Sequence, residues 1–249
     1  MLAGRRVLVT GGSGTIGSRM VERLLEHGVD VVRVLGRDET KQFYQQQRHA
    51  GRRDLRFLIG DIRDRERVSR AMEGIDLVFH CAALKHVGSG EYNPFEATQT
   101  NIIGTQNVID ACLEHDVRTM VFTSSDKAAN PTSVMGATKL VAEKLVTAAT
   151  NYRGAHATTF ASVRFGNVLG SRGSALELFA SQVAAGGPVT MTDPAMATSA
   201  EYRGAPVPST IVPPNRTRST VGAVPGECCV DFDVDVVVMS DASPVRSRC

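Results

Sequence analysis

Thr10-Gly11-Gly12-Ser13-Gly14-Thr15-Ile16-Gly17 sets glycines at positions 11, 14 and 17, directly after the apolar run Val7-Leu8-Val9. Glycine tolerates the tight backbone path and close approach that such a turn demands. A helix opening at Thr15 and Ile16 would point its first N–H groups at an anion lying over the loop. The chemistry implied is recognition of a pyrophosphate, and hence of a dinucleotide, by backbone donors. The spacing also suits a plain glycine turn. The strand before it and the helix after it are what turn it into a binding motif.

The residue that selects the ribose should lie at the end of the second strand, about 20 residues further on. There Gly36-Arg37 follows Leu35. An acid at this point would grip the ribose hydroxyls, whereas a small residue leaves room for a 2′-phosphate that an arginine can pair with. The pattern favours NADP over NAD. Asp38 and Glu39 are the competing acids if the strand ends later, and a solvated arginine is the competing reading of Arg37. Gly60-Asp61-Ile62 is placed to hydrogen-bond the adenine, and Cys81-Ala82-Ala83 offers small residues where the backbone must pass the cofactor.

These residues need a scaffold that brings loop ends together, and the chain supplies one. Short β-branched runs over 5–10, 30–35, 55–59, 77–81, 117–123 and 162–165 alternate with helical patterns. One such pattern is Ile16, Met20 and Leu24, with Gly28 as its stop. Strands of this kind, separated by helices, predict an α/β fold with a doubly wound parallel sheet (Rossmann), covered on both faces and binding its ligand beyond the strands' carboxyl ends. The 249 residues are 42% hydrophobic and carry a net charge of +2, with no basic stripe that would single out nucleic acid. No run approaches the roughly 18 apolar residues of a membrane span. The five cysteines lack metal-ligand spacing, so no metal is expected, and Cys81 and Cys112 read as core thiols in a reducing compartment. A cytoplasmic location is expected.

A further series is more specific. Ala82-Ala83-Leu84-Lys85-His86-Val87, Glu91-Tyr92-Asn93-Pro94 and Thr100-Asn101-Ile102-Ile103-Gly104 are followed by Ser124-Ser125-Asp126-Lys127-Ala128-Ala129-Asn130-Pro131. Then come Met135-Gly136-Ala137-Thr138-Lys139 and the run Arg164-Phe165-Gly166-Asn167-Val168-Leu169-Gly170-Ser171-Arg172-Gly173-Ser174. Together these resemble the extended short-chain dehydrogenases, and within them the C5-inverting UDP-N-acetylglucosamine 4,6-dehydratases of bacterial polysaccharide biosynthesis. The resemblance implies hydride removal from sugar C4 by NADP+, elimination of water across C5 and C6, and hydride return to C6. It makes Asp126 the acid for the departing hydroxyl and Lys127 the base at C5. A lysine can serve as a base only if its pKa falls well below about 10.4, as burial beside other cations would achieve. A surface ion pair between Asp126 and Lys127 is the plain alternative.

By the same resemblance Lys139 holds the nicotinamide ribose, and Ser124 and Ser125 position the sugar and the nicotinamide. Lys85 and His86 lie near the sugar or the nicotinamide, and Asn167 and Arg172 fit recognition of the substrate diphosphate and uridine. Asn101 organises its own helix and the neighbouring loop. Short-chain dehydrogenases usually place tyrosine four residues before the lysine, but here that position is Met135, which cannot transfer a proton. The C4 hydroxyl proton is therefore expected to go to Lys127 or Asp126, helped by Ser125. The expected partner is a UDP-sugar, with homo-oligomeric assembly and neither nucleic acid nor membrane. A sugar epimerase or reductase and a noncatalytic NADP-binding protein are the rival readings.

The resemblance stops near Met196. From there to Cys249 there is no Leu and no Lys, while six of the ten prolines and three of the five cysteines crowd in. Residues 1–195 are expected to form the cofactor-binding domain with its catalytic loop. Residues 196–249 are expected to be an atypical tail, disordered or out of frame, in place of the substrate lobe. One apolar run at 234–239 could form a strand.

Overall fold

The computed structural model describes residues 2–166, 168, 171, 175–188, 190 and 237–239. Most of the expected tail, together with Asn167 and Arg172, lies outside the described residues.

The chain alternates β1 (Arg6–Thr10), α1 (Thr15–Glu26), β2 (Val31–Gly36), α2 (Glu39–Arg48), β3 (Leu55–Ile59), α3 (Arg65–Met72) and β4 (Leu77–His80). Two short helices follow, α4 (Val87–Tyr92) and α5 (Pro94–Thr98), and a π-helical turn over Gln99–Ile103 leads into α6 (Gly104–Glu114). Next are β5 (Thr119–Ser125), a 3₁₀ turn at Asp126–Ala128, α7 (Val134–Tyr152), β6 (Thr159–Phe165), α8 (Ala175–Ala184) and β7 (Val237–Met239). The sheet order is β3-β2-β1-β4-β5-β6-β7, with β1 to β6 parallel and β7 antiparallel on β6. The expected parallel sheet is thus present, with strand ends shifted by up to a few residues. The strand foreseen in 234–239 occupies its last three positions.

Side-chain alternation on β1 shows why the sheet is covered twice. Leu8 joins one buried cluster with Val68, Val108, Ile109, Met120 and Val146, while Val7 and Val9 join another with Met20, Val21, Leu24 and Val34. A strand sends successive side chains to opposite faces, so an all-apolar strand needs helices on both. Local chemistry ends and starts those helices. Gly28, at φ +68°, closes α1 as the sequence predicts. Asp38, Asp64 and Ser133 cap α2, α3 and α7 by accepting from the N–H groups of Lys41, Arg67 and Gly136. The consequence for function is geometric. The loops after β1, β2, β3, β4, β5 and β6 all open on one edge of the sheet.

Candidate active site

Those loops surround a cleft of about 1070 Å³. Its lining includes Gly11, Gly14, Thr15, Ile16 and Gly17 after β1, Gly36 and Arg37 at the end of β2, and Asp61 and Ile62 after β3. Ala82, Ala83, Lys85 and His86 line it after β4, Ser124 and Ser125 at the end of β5, and Met135 and Lys139 on α7. Every residue expected at the cofactor therefore faces one cavity. Asp126 and Lys127 are not among its lining residues.

The glycine loop has the form a pyrophosphate requires. Gly11 sits at φ +66°, and a Cβ there would lie 2.7 Å from the Ala82 nitrogen. A Cβ on Gly17 would lie 2.4 Å from the Gly11 carbonyl oxygen, so α1 can abut the loop only with glycine at that turn. Gly14 is the residue before α1 and offers no side-chain cap, and the first turn of that 12-residue helix holds no acid. Its N-terminal donors point at the cleft unscreened by a carboxylate, as an anion would need. The residues present thus fit a dinucleotide.

At the ribose end, Arg37 is half exposed and lies 3.3 Å from the Asp61 carboxylate, which also accepts from Arg63. Burial acts to raise the Asp61 carboxyl, but the hydrogen bonds from Arg63 and the charge of Arg37 outweigh it and hold the group below the usual carboxylate range. Asp38, the competing acid in the sequence, has its carboxylate occupied by the Lys41 N–H and the Lys41 ammonium.

Lys139 is buried at the floor of the cleft. Its ammonium donates to the Thr123 carbonyl at 2.8 Å and lies 4.5 Å from the centre of the Phe122 ring. Burial pulls its pKa down to about 8, opposed by the charges of Cys81 and Glu143. Met135, one turn earlier, is also buried and lines the cleft. Cys81 was expected in the core with Cys112. Partly buried, it packs against the core and, as the first residue after β4, also lines the cleft, and burial pushes its thiol up to about 11.

Asp126 and Lys127 occupy the 3₁₀ turn that follows β5. Asp126 Oδ1 accepts from the Ser125 hydroxyl at 2.9 Å, the Lys127 N–H at 2.8 Å and the Lys127 ammonium at 3.2 Å. The two side chains are 38% and 41% exposed. The burial beside cations expected for Lys127 is not what surrounds it here. An anion is its neighbour, because the turn folds the two adjacent side chains together.

A buried polar network, legible only in three dimensions, ties the end of β1 to the loop carrying Lys85 and His86. The Ala82 N–H donates to Thr10 Oγ1, which lies 2.6 Å from His80 Nδ1. Thr105 Oγ1 lies 3.0 Å from His80 Nε2 and donates to the Asn101 carbonyl. Because the Thr105 hydrogen is committed to that carbonyl, Nε2 is the donor, and a neutral ring then accepts the Thr10 hydroxyl hydrogen at Nδ1. Burial agrees, lowering His80 to about 3. Asn101, within the π-helical turn, accepts from the Leu84 N–H and donates to the Leu84 carbonyl and to Thr138. It thus pins the loop carrying Lys85 and His86 to α7, the organising part expected of it.

A family model described as polysaccharide biosynthesis protein matches residues 7–198. The chain is 45% identical over 196 residues to a UDP-N-acetylglucosamine 4,6-dehydratase (inverting) of Campylobacter jejuni, covering 77% of this chain and 58% of that protein. It is 50% identical over 192 residues to an uncharacterized membrane protein of Methanocaldococcus jannaschii, covering 77% and 57%. Among the described residues no helix is long and apolar enough to cross a membrane. A UDP-glucose 4-epimerase of Rickettsia canadensis is 39% identical over 201 residues, covering 79% and 58%. Among solved structures, Pen from Bacillus thuringiensis superposes with a TM-score of 0.75 at 51% identity, covering 77% of this chain and 60% of that one. The dTDP-glucose 4,6-dehydratase DesIV of Streptomyces venezuelae, solved with NAD bound, gives 0.67 at 26%, covering 74% and 63%. The chain therefore spans less than two thirds of the length of these relatives.

Proposed function

The chain belongs to the polysaccharide biosynthesis family, and on that premise we propose that it is a nucleotide-sugar 4,6-dehydratase. The substrate is UDP-N-acetylglucosamine, the product a 4-keto-6-deoxy sugar inverted at C5, and the cofactor NADP. The observation that carries this reading is the single cleft in which an uncapped glycine loop and the Ser124, Ser125 and Lys139 cluster face one another. The 45% identity to an inverting dehydratase supports it.

Gly11, Gly14 and Gly17 would hold the pyrophosphate, Asp61 and Ile62 the adenine, and Ala82 and Ala83 the path between. Arg37 would take the 2′-phosphate, a preference supported by Gly36 closing β2 and by the occupied Asp38 carboxylate. When bound, the dinucleotide supplies the hydride acceptor for C4 and the hydride donor for C6. Lys139 would hold the nicotinamide ribose beside Ser124. Asp126 is the acid for the C6 hydroxyl and Lys127 the base at C5, and one of them, helped by Ser125, takes the C4 hydroxyl proton that Met135 cannot. Entry of substrate must then draw the Asp126–Lys127 pair apart, since in its present form each neutralises the other. Lys85, His86, Asn167 and Arg172 would contact the sugar and its diphosphate. Residues 1–195 are the cofactor-binding unit in this reading, which also takes the protein to act in the cytoplasm as a homo-oligomer.

Proton NMR of the chain with UDP-N-acetylglucosamine and NADP+ in heavy water tests this reading. The expected product is a 4-keto-6-deoxy sugar deuterated at C5, retained with Met135→Ala and lost with Lys127→Ala. Loss with Met135→Ala and retention with Lys127→Ala would overturn the assigned roles. Cofactor binding with no product would favour a noncatalytic dinucleotide-binding protein.

A further inference from the structure

Lys139 takes part in no ion pair among the described residues, although an anion stands close by. Glu143 is four residues further along α7, which puts it one turn on and on the same face. Its carboxylate is held by Arg164 of β6 through two bonds, Nε to Oε1 at 2.8 Å and Nη2 to Oε2 at 2.7 Å. The side chains of Arg164 and Glu143 are only 19% and 10% exposed. A fork that occupies both carboxylate oxygens fixes the position of the negative charge as well as its presence.

We propose that Glu143 and Arg164 are a positioning pair for Lys139. Glu143 supplies the counter-charge that keeps the buried lysine an ammonium. Arg164 prevents the carboxylate from swinging one turn back to bind that ammonium directly, which would draw it away from the cleft. The arrangement resolves a conflict that Met135 sharpens, since Lys139 has no phenol beside it and must carry its charge in a nearly apolar setting. It also joins α7 to the strand whose end delivers Phe165 and Gly166 to the cleft.

Cys81 acts on Lys139 in the same direction as Glu143, but only as a thiolate. His80 and Cys81 approach it from the β4 side. His80 is held neutral by burial with a pKa of about 3, and the Cys81 thiol is neutral up to about pH 11. Burial acts to raise Glu143, and the Arg164 hydrogen bonds, with Ser124 and the charges of Arg164 and Lys144 adding to them, reverse that, so the carboxylate is charged throughout the neutral range.

The two members of the pair should shift Lys139 in opposite directions. With only five lysines in the chain, ¹³Cε-lysine labelling lets Lys139 be followed by NMR from pH 6 to 10 and assigned by its loss in Lys139→Met. Glu143→Gln should lower its midpoint by about one pH unit, since the carboxylate one turn away is lost and the Arg164 cation remains. Arg164→Met should raise it, because the freed carboxylate pairs with the ammonium. The double variant removes both halves of the fork and leaves neither Arg164 nor Glu143 unpartnered, so it should melt closer to the parent than either single variant, with a midpoint below the parent and above Glu143→Gln. At pH 8 Glu143→Gln should bind NADPH about fivefold more weakly, from the reduced charged fraction of Lys139. Unshifted midpoints in a folded double variant, or shifts of one sign in both single variants, would overturn the proposal. The inference rests on the dinucleotide reading only for what Lys139 holds. The titration needs neither cofactor nor sugar, so failure of NADPH to bind the parent would refute that reading and leave this test intact.

Discussion

Acidification should loosen this protein through a single imidazole. His80 is fully buried between Thr10 and Thr105, and both of its nitrogens are committed in the neutral form. Burial lowers its pKa from 6.5 to about 3, with the charge of Lys139 adding to the effect. A group whose pKa is depressed on folding binds fewer protons in the folded chain than in the unfolded one across that window. Stability is therefore complete above pH 6.5 and is lost progressively as the pH falls toward 3. Each pH unit below 6.5 costs about 1.4 kcal/mol, which reaches about 2.7 kcal/mol by pH 4.5. For a chain of this size that lowers the melting temperature by about 5–10 °C. Protonation also forces Nδ1 to donate toward a hydroxyl that already donates to it. The damage should therefore start at Thr10 and Ala82, beside the glycine loop. Melting curves of the parent and His80→Gln between pH 7.5 and 4.5 provide the assay. Glutamine keeps an amide near the Nε2 position but does not titrate, so its curve should be flatter over this range. The carboxylates that folding holds low, Asp54, Asp61 and Glu143, stay ionised over most of it and are common to both proteins. Parallel acid slopes in the two proteins would refute the assignment.

Other outcomes follow from close approaches. A methyl group on Gly17 would meet the Gly11 carbonyl oxygen at 2.4 Å, and neither backbone can rotate away. Gly17→Ala should lose about 1–3 kcal/mol of stability and most of its NADPH affinity, measured by melting and by cofactor fluorescence. A methyl group on Gly136 would lie 2.5 Å from the Lys127 carbonyl oxygen and push the Asp126–Lys127 turn off α7. A displacement approaching 1 Å costs about 100-fold in rate, so Gly136→Ala should lose turnover in the NMR assay while NADPH affinity holds. Equal losses of both would show that the turn and the cofactor site are not separable in this way.

The sequence by itself determined the scaffold and the glycine loop, because both rest on local rules. Unbroken β-branched strands require a sheet covered on both faces. Glycines at 11, 14 and 17 between a strand and a helix allow few other backbone paths, and the structure places them where that reasoning put them. Motifs also located Lys139, Ser124 and Ser125, since their strand and helix were readable. Only the tertiary structure decided the state of those groups, because charge and burial depend on residues far apart in the chain. Lys127 and Lys139 are alike as letters, yet one is exposed beside Asp126 while the other is buried against Phe122 and Thr123. Glu143 lies one helical turn after Lys139, and Arg164, arriving from another strand 21 residues later, fixes the position of its charge. His80 looked like one apolar-strand residue among several. Its neutrality, and the link from Thr10 to Asn101 that depends on it, exist only because parallel pairing sets β4 beside β1 and α6 closes over both.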